Sequence, residues 1–204
     1  LFSPLRSGRL ELKNRIVMTP TATHLSEAAI IDFYVARARG GVGLIQLAPG
    51  IVDAASQYDV VLPLYDDRFI PGLARLVAAV HAAGAVISIQ LWHGGRQLPS
   101  STSLVAPSPI PRSRGAPVPR ELSLPEIEEL IGKFAQAARR ARKAGVDLVE
   151  IHAAHGYLVS EFLSPWSNKR TDKYGGDLTG RTRFAVEIIR RIKEVVGDDF
   201  PVSC

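Results

Sequence analysis

Cysteine is nearly absent from this sequence of 204 residues, and the only one is Cys204. A single cysteine excludes an internal disulfide, a cysteine-based zinc site and a four-cysteine iron–sulfur cluster within the chain. The sequence also lacks an apolar run of eighteen or more residues and a basic leader followed by an apolar stretch, so neither a membrane span nor a secretory signal is expected. We therefore expect a protein of the reducing cytoplasm with no membrane partner.

A strong excess of charge of one sign is also missing. Lys and Arg outnumber Asp and Glu by only 25 to 20, and the formal net charge is +5. The basic residues are scattered or lie on helix faces, with no aromatic side chains between them to stack on bases, so no nucleic-acid partner is expected. Hydrophobic residues make up 46% of the chain, which is enough for the core of a single domain over residues 1–204.

Apolar runs typical of strands alternate along the chain with apolar residues at helical spacing. Strands are predicted over residues 15–20, 42–48, 85–91 and 146–153, with a fifth strand beginning at 200–204. Helices are predicted over residues 30–39, 68–83, 123–145, where Ser123 and Glu126 resemble a capping box, and 183–196. Residues 99–125 hold seven of the fourteen prolines and are predicted to form an irregular loop. This order of elements requires a parallel sheet with right-handed crossovers, and the apolar strands are typical of a sheet covered on both faces.

Two α/β architectures fit this order, an open doubly wound sheet and a (β/α)8 barrel. No G-x-G-x-x-G follows the first strand and no Walker A pattern occurs. Polar and aromatic residues instead gather just after the strands, at residues 19–24, 90–96 and 152–157. That placement is typical of a TIM barrel, of which the chain would supply about the first four β/α units and the start of strand 5. A compact barrel takes about 250 residues. We therefore expect open sheet edges that a partner or a longer chain completes.

Three side chains after the fourth strand are candidates for catalysis: His152, His155 and Tyr157. Two imidazoles and a phenol provide donors for a substrate oxygen and a source of protons, which suits polarising a carbonyl and protonating the adjacent carbon. A metal site is less favoured, because His-x-x-His has no third ligand nearby. Packed core histidines are the structural alternative.

Residues that suit a flat heterocycle end the first three strands. Gln90 can present both an amide donor and an acceptor to a ring edge such as the flavin pyrimidine, or it can satisfy backbone groups at a strand end. The small and hydroxylic residues of segments 18–23 and 48–50 allow close approach of a ring, although many turns have the same composition.

Four segments together carry a family resemblance that runs over nearly the whole chain. They are LKNRIVM at 12–18, RARGGVGLI at 37–45, QLWHGGR at 90–96 and EIHAAHGYL at 150–158. With these segments the chain resembles the Old Yellow Enzyme family of FMN-dependent oxidoreductases, especially the branch of the 2,4-dienoyl-CoA reductases and 2-enoate reductases.

The resemblance implies a TIM barrel with FMN at the C-terminal mouth. His152 and His155 would hydrogen-bond the carbonyl oxygen of the substrate, and Tyr157 would donate a proton. The residues implied to line the isoalloxazine are Pro20, Thr21, Ala22, Ala48 and Gln90.

The implied activity is that of an ene-reductase. Hydride would pass from NADH or NADPH through FMN to the activated C=C of an α,β-unsaturated carbonyl or enoyl compound. The partner would be this small molecule, and a homo-oligomer is one possible assembly. The alternative is a catalytically silent half barrel that acts only by association, because the chain ends at Cys204, before the strands that bind the FMN phosphate in this family.

Overall fold

A six-stranded parallel sheet forms the centre of the computed structural model, which describes residues 1–56, 58, 62–98 and 104–204. The strands of this sheet and of two smaller strand pairs, β1 with β2 and β7 with β8, are β1 (Leu5–Ser7), β2 (Leu10–Leu12), β3 (Val17–Met18), β4 (Leu44–Ile51), β5 (Leu62–Pro63), β6 (Val86–Trp92), β7 (Val105–Ala106), β8 (Arg120–Glu121), β9 (Leu148–Ile151) and β10 (Val202–Ser203). The sheet has the order β10-β9-β6-β4-β3, and β5 pairs with β4. Each of the five strands predicted from the sequence overlaps a strand of this sheet.

Five α-helices in the described ranges accompany the sheet. They are α1 (Glu27–Arg39), α2 (Ile70–Ala82), α3 (Leu124–Lys143), α4 (Leu158–Leu163) and α5 (Leu178–Val196). The capping box predicted for α3 is confirmed, since the Glu126 carboxylate accepts a hydrogen bond of 2.8 Å from the backbone N–H of Ser123. The prediction for α5 began five residues too late, because the Asp177 side chain caps the helix by accepting from the N–H of Gly180 at 2.8 Å. The six-residue α4 was not predicted.

The two faces of the sheet differ in polarity. Ile45, Leu47, Ile87, Ile89 and Val149 point to the helices and are completely buried in the main apolar core. The opposite face, which is the interior of the curved sheet, instead carries polar side chains in the alternate positions, namely Gln46, Ser88, Gln90, Glu150 and Ser203. The expectation of strands that are apolar on both faces was therefore wrong for the interior face.

The N-terminal hairpin of β1 and β2 covers the N-terminal ends of the central strands. Leu12 packs against Leu44 and Leu148, which begin β4 and β9. Lys13 secures the hairpin with a hydrogen bond of 2.7 Å from its ammonium to the carbonyl of Gly84. This antiparallel pair was not predicted, and it closes one end of the sheet, so the opposite end is the open one.

The proline-rich segment is more ordered than predicted. Its strands β7 and β8 pair in parallel, and the Arg170 guanidinium binds the carbonyls of Pro107 and Leu122 at 3.0 and 2.6 Å. The part of the predicted loop at residues 99–103 lies outside the described residues. Across the described ranges, no helix is long and apolar enough to cross a membrane.

Candidate active site

His152, His155 and Tyr157 lie together at the open, C-terminal end of the sheet. The backbone N–H of His152 donates to the carbonyl of Leu91 at 3.0 Å and so continues the pairing of β9 with β6. His152 Nε2 lies 3.4 Å from His155 Nδ1, and the His152 and Tyr157 ring centroids are 4.9 Å apart. The three residues predicted to be catalytic are therefore neighbours, although 152–157 contains no regular strand or helix.

The hydrogen bonds of the pair assign the positions of the imidazole protons. Burial is the larger cause that lowers the pKa of His152, and the nearby His155 lowers it further, so His152 is neutral at pH 7. His152 Nδ1 accepts from the N–H of Ala154 at 3.3 Å, which places its proton on Nε2, directed at His155 Nδ1. The Nε2 of the exposed His155 makes no hydrogen bond to a described residue, so an N–H at this position can donate outward.

The backbone of this segment is strained. Among the described residues, His155 is the only one other than glycine with a positive φ, at 56°, and Gly156 follows with φ 73°. A side chain at Gly156 would meet Gln97 Nε2 at 2.7 Å. Such strain is typical of functional sites, where the surrounding structure holds an unfavourable conformation in place.

Tyr157 is fixed between two rings. Its ring is half-buried and makes edge-to-face contacts with Trp92, at 5.1 Å between centroids, and with His152. These contacts restrict the phenol while its ring stays half-exposed at the open end of the sheet. Trp92 lies in the QLWHGGR segment, and no pattern in the sequence predicts this contact with Tyr157.

Gln90 is held on the interior face by a carboxylate. Glu150 lies directly opposite Gln90 in the pairing of β6 with β9, and it accepts an N–H from the side-chain amides of both Gln90 and Gln46. No described residue donates to Gln90 Oε1, which leaves this oxygen available as an acceptor. Glu150 was missed at the sequence level, where the only signal was a charged residue in the otherwise apolar strand LVEI.

The other residues implied to line a flavin lie towards the opposite side of the sheet. Pro20 is half-buried, and Thr21 and Ala22 are exposed in the irregular segment after β3. Ala48 is buried on β4, where its N–H donates to the Tyr34 hydroxyl at 3.0 Å. Two strands, β4 and β6, separate β3 from β9, and within the described ranges no hydrogen bond joins residues 20–22 to the histidines.

A buried contact between Glu161 and Arg96 joins helix α4 to the loop after β6. The Glu161 carboxylate on α4 accepts from the backbone N–H of Arg96 at 3.0 Å and lies 3.7 Å from its guanidinium Nε. Burial raises the pKa of Glu161 to about 8, against the opposing effect of Arg96. A side chain at Gly95 would approach the carboxylate to 2.6 Å, so the loop after β6 and helix α4 can contact closely only with glycine there.

His93 directly follows β6 and has a structural position. It is buried, and burial lowers its pKa to about 4, so it is neutral. Its Nδ1 accepts from the N–H of Gly95 at 3.1 Å. It lines a cavity of 230 Å³ together with Asp53 and Lys133, which form an ion pair of 2.8 Å. In the part of the chain that the structure describes, no group of three His, Cys, Asp or Glu side chains is arranged to hold a metal ion.

Comparison with known families identifies the family of the chain. All residues from 1 to 204 match the model of the NADH:flavin oxidoreductase / NADH oxidase family. The chain belongs to this family. The family binds FMN and uses NADH or NADPH, which confirms the predicted family, its cofactors and its oxidoreductase class.

Curated members of the NADH:flavin oxidoreductase family share much of the sequence. The chain is 50% identical over 215 residues to an NADH oxidase of Thermoanaerobacter brockii, covering 100% of this chain and 33% of that protein. It is 43% identical to an NADPH dehydrogenase of Geobacillus thermodenitrificans, covering 96% of this chain and 60% of that protein. The chain thus spans between a third and three fifths of the length of these relatives.

Solved structures confirm the fold class. An Old Yellow Enzyme from Pichia sp. AKU4542 superposes with a TM-score of 0.91 at 32% identity, covering 99% of this chain and 58% of that one. A 2-naphthoyl-CoA reductase gives a TM-score of 0.92 at 31% identity, covering 99% of this chain and 34% of that one. The six parallel strands are therefore part of a TIM barrel, as the sequence predicted.

The interior face fits the polar edge of a flavin. Gln90 Oε1 is a half-exposed acceptor without a partner in the described residues, and a flavin imide offers an N–H of the matching kind. The exposed segment at 21–22 has small side chains that leave room for a flat ring. Among the residues that the structure describes, the donor set contains no thiolate and no carboxylate cluster, so it suits an organic ring better than a metal ion.

Proposed function

We propose that the protein is an FMN-dependent ene-reductase that passes hydride from NADH or NADPH to the activated C=C of an α,β-unsaturated carbonyl or enoyl compound. The observation that carries this proposal is the contact of two imidazoles and a phenol at the open end of a barrel sheet, next to Gln90. FMN would supply the hydride chemistry when bound, and the protein supplies binding, orientation and electrostatics.

The proposed cofactor contacts involve five residues of the interior face and the mouth. Gln90 would bind the pyrimidine edge of the flavin through its free Oε1. The small residues would lie along the ring, namely Pro20, Thr21, Ala22 and Ala48. This assignment rests on their position after β3, β4 and β6 and on the family.

The histidine pair would hold the carbonyl oxygen of the substrate. His155 Nε2–H donates directly, and the Nε2–H of His152 becomes available when the substrate oxygen replaces its contact of 3.4 Å with His155. Because the negative charge on this oxygen grows as hydride adds to the β-carbon, donors already in place stabilise the transition state more than the ground state. The lowered pKa of His152 keeps it a neutral donor.

Tyr157 would complete the reaction by donating its phenolic proton to the α-carbon. The contacts with Trp92 and His152 hold the ring next to the oxygen-binding pair, so the proton source and the oxygen donors lie on the same side of the substrate. Protonation of the α-carbon converts the enolate to the saturated product and neutralises the charge that the histidines stabilise.

The proposal extends to the setting of the protein. We propose a small-molecule alkene as its partner, without nucleic acid or membrane, and a cytoplasmic location that suits a single cysteine. Residues 1–204 would form part of one barrel domain, and a homo-oligomer is compatible with it.

The second candidate is that a polypeptide of these residues alone is catalytically silent. It is favoured by the edges of the described sheet, where β3 and β10 each pair with one strand only.

One experiment separates the two candidates. FMN is added to the purified protein, unbound FMN is removed by desalting, and the visible spectrum is recorded before and after anaerobic NADPH or NADH. A retained flavin band that bleaches with either nucleotide supports the reductase, and alkene screening follows. If no flavin is retained by residues 1–204 but a longer polypeptide retains it, the activity requires the longer chain. If neither retains it, the proposed function is wrong.

A further inference from the structure

The interior of the sheet contains a carboxylate that the proposed reaction does not use. Glu150 lies two residues before His152 on β9, with its carboxylate on the interior face. One carboxylate oxygen accepts from the amide of Gln46 on β4, and the other accepts from the amide of Gln90 on β6. Three neighbouring strands are thus joined through one charged group.

The charge of Glu150 decides which end of the Gln90 amide faces it. An ionised carboxylate can only accept hydrogen bonds, so it selects the NH2 group and rejects the carbonyl oxygen. The two ends of a carboxamide have nearly the same shape, and without this neighbour nothing in the described contacts would distinguish them. Gln90 Oε1 consequently points away from Glu150, and no described residue donates to it.

We propose that Glu150 is a positioning residue that orients the Gln90 carboxamide, so that Gln90 Oε1 accepts a hydrogen bond from the imide N–H of the bound flavin. The inference rests on the proposed function, because it requires FMN at this face. Gln46 occupies the second carboxylate oxygen and so keeps Glu150 from turning away from Gln90. In this role Glu150 does not touch the flavin. Because it turns Gln90 Oε1 towards the flavin, the site favours a ring edge that presents an N–H over one that presents an acceptor.

The test variant, Glu150→Gln, removes the negative charge at position 150 and keeps the shape of the side chain. In Glu150→Gln the new amide can donate to Gln90 Oε1, so the Gln90 amide can flip and turn its NH2 group to the flavin imide. We expect the dissociation constant of FMN to rise about tenfold, because the NH2 group of Gln90 and the imide N–H of the flavin are both donors and would then face each other. With ¹⁵N-labelled FMN, we also expect the imide proton resonance to move upfield as its acceptor is lost.

Ser88→Ala is the matched control. Ser88 is buried on the same interior face of β6, two residues before Gln90, and no described residue hydrogen-bonds its Oγ. Its removal leaves Glu150 and Gln90 in contact, so the FMN affinity and the imide resonance should stay at the wild-type values.

An exchange of the two side chains separates orientation from general structural support. In Gln90→Glu/Glu150→Gln the carboxylate moves to β6 and the amide to β9, so the pair keeps its hydrogen bond and again presents an oxygen to the imide. We expect this double variant to recover most of the FMN affinity and the downfield imide resonance. A residue needed only for packing or stability would not produce this recovery.

The proposal is overturned if folded Glu150→Gln binds FMN as the wild type does and leaves the imide resonance in place. If Glu150→Gln does not fold, the double variant decides the question: recovery supports the proposal, and weak binding or failure to fold overturns it. The variants are made in a polypeptide whose wild type retains FMN. If the wild type retains no FMN either as residues 1–204 or within a longer polypeptide, the proposed function itself is overturned, and this result is obtained before any variant is made.

Discussion

Single residues at the open end of the sheet are held by neighbours that are distant in sequence. Tyr157 packs on Trp92, 65 positions earlier in the numbering, and Glu150 binds Gln46, which is 104 residues away. Local sequence cannot reveal such partners, because nothing near Glu150 in the chain indicates an amide across the sheet. The residue types of the histidine cluster could be predicted because they lie within six consecutive residues. The orientation of the Gln90 side chain could not be predicted, because it depends on Glu150 in the neighbouring strand.

Tyr157→Phe tests the proton source. The ring keeps its contacts with Trp92 and His152, and only the hydroxyl is lost, so reduction of FMN by NADPH or NADH should continue at the wild-type rate. Oxidation of the reduced protein by an alkene should slow by roughly a hundredfold, the usual contribution of a positioned proton donor. Stopped-flow measurement of the two half-reactions in a polypeptide that retains FMN checks this. Equal rates in both half-reactions for variant and wild type would contradict the assigned role.

Glu161 should make stability depend on pH. Its pKa is about 8 in the folded protein and near the ordinary value of 4.5 when unfolded, so the folded state binds the proton more tightly. The stabilisation of the folded state by the tightly held proton of Glu161 is complete below pH 4.5 and is lost as the pH rises to about 8. Glu161→Gln, which cannot ionise, should remove this loss and raise the free energy of unfolding at pH 8 by an amount on the order of 4 kcal/mol relative to wild type.

Urea unfolding at pH 5, 6, 7 and 8 measures this difference. The Arg96 guanidinium is the charge that faces Glu161, so Arg96 remains in both proteins. Curves for the two proteins that stay parallel over this range would show that the Glu161 carboxylate is ionised throughout.

At the scale of elements, helix termini explain both the successes and the failures of the sequence analysis. The beginning of α3 was predictable because its capping box is a local pattern of two residues, Ser123 and Glu126. Helix α5 begins earlier than predicted, since its first turn holds the exposed Leu178 and small residues in place of a continuous apolar face. Helix α4 has six residues, too few for a helical period to show.

The cap of α5 can be tested directly. Asp177→Ala removes the acceptor of the Gly180 N–H and should lower the free energy of unfolding by about 1 kcal/mol. Asp177→Asn keeps a side-chain oxygen in the same place and should stay close to wild type, which makes it the matched control. Denaturant unfolding measures both, and an equal loss in the two variants would show that the charge, not the cap, stabilises the helix.

At the scale of the whole molecule, the described sheet is curved but not closed. β3 and β10 are its edges, and Val17 on β3 is 42% exposed. Unpaired edges invite pairing with other chains. A polypeptide of residues 1–204 alone should therefore self-associate and hold FMN weakly, as sedimentation velocity and the flavin spectrum after desalting would show. A monodisperse monomer with one FMN per chain would contradict this expectation.

A charged residue at the edge tests the cause of self-association. Val17→Lys places a charge on β3 and should shift residues 1–204 towards the monomer. Val118→Lys makes the same change at an exposed site in the proline-rich segment, where Val118 is 64% exposed, and should leave the association unchanged. Equal effects of the two substitutions would indicate that net charge, rather than the strand edge, controls association.

The order of strands in the sheet also bears on how the chain is made. Along the path β3, β4, β6, β9 and β10, each strand pairs with the strand of this path that a ribosome would produce before it, while β5 pairs beside the path with β4. No strand has to enter between two that have already paired. A nascent chain can therefore extend the sheet one strand at a time while translation continues. β3 pairs with β4 on one side, and its outer edge, the first to be made, is exposed for the longest time during synthesis. This outer edge is therefore the part of the growing sheet that a chaperone would protect most.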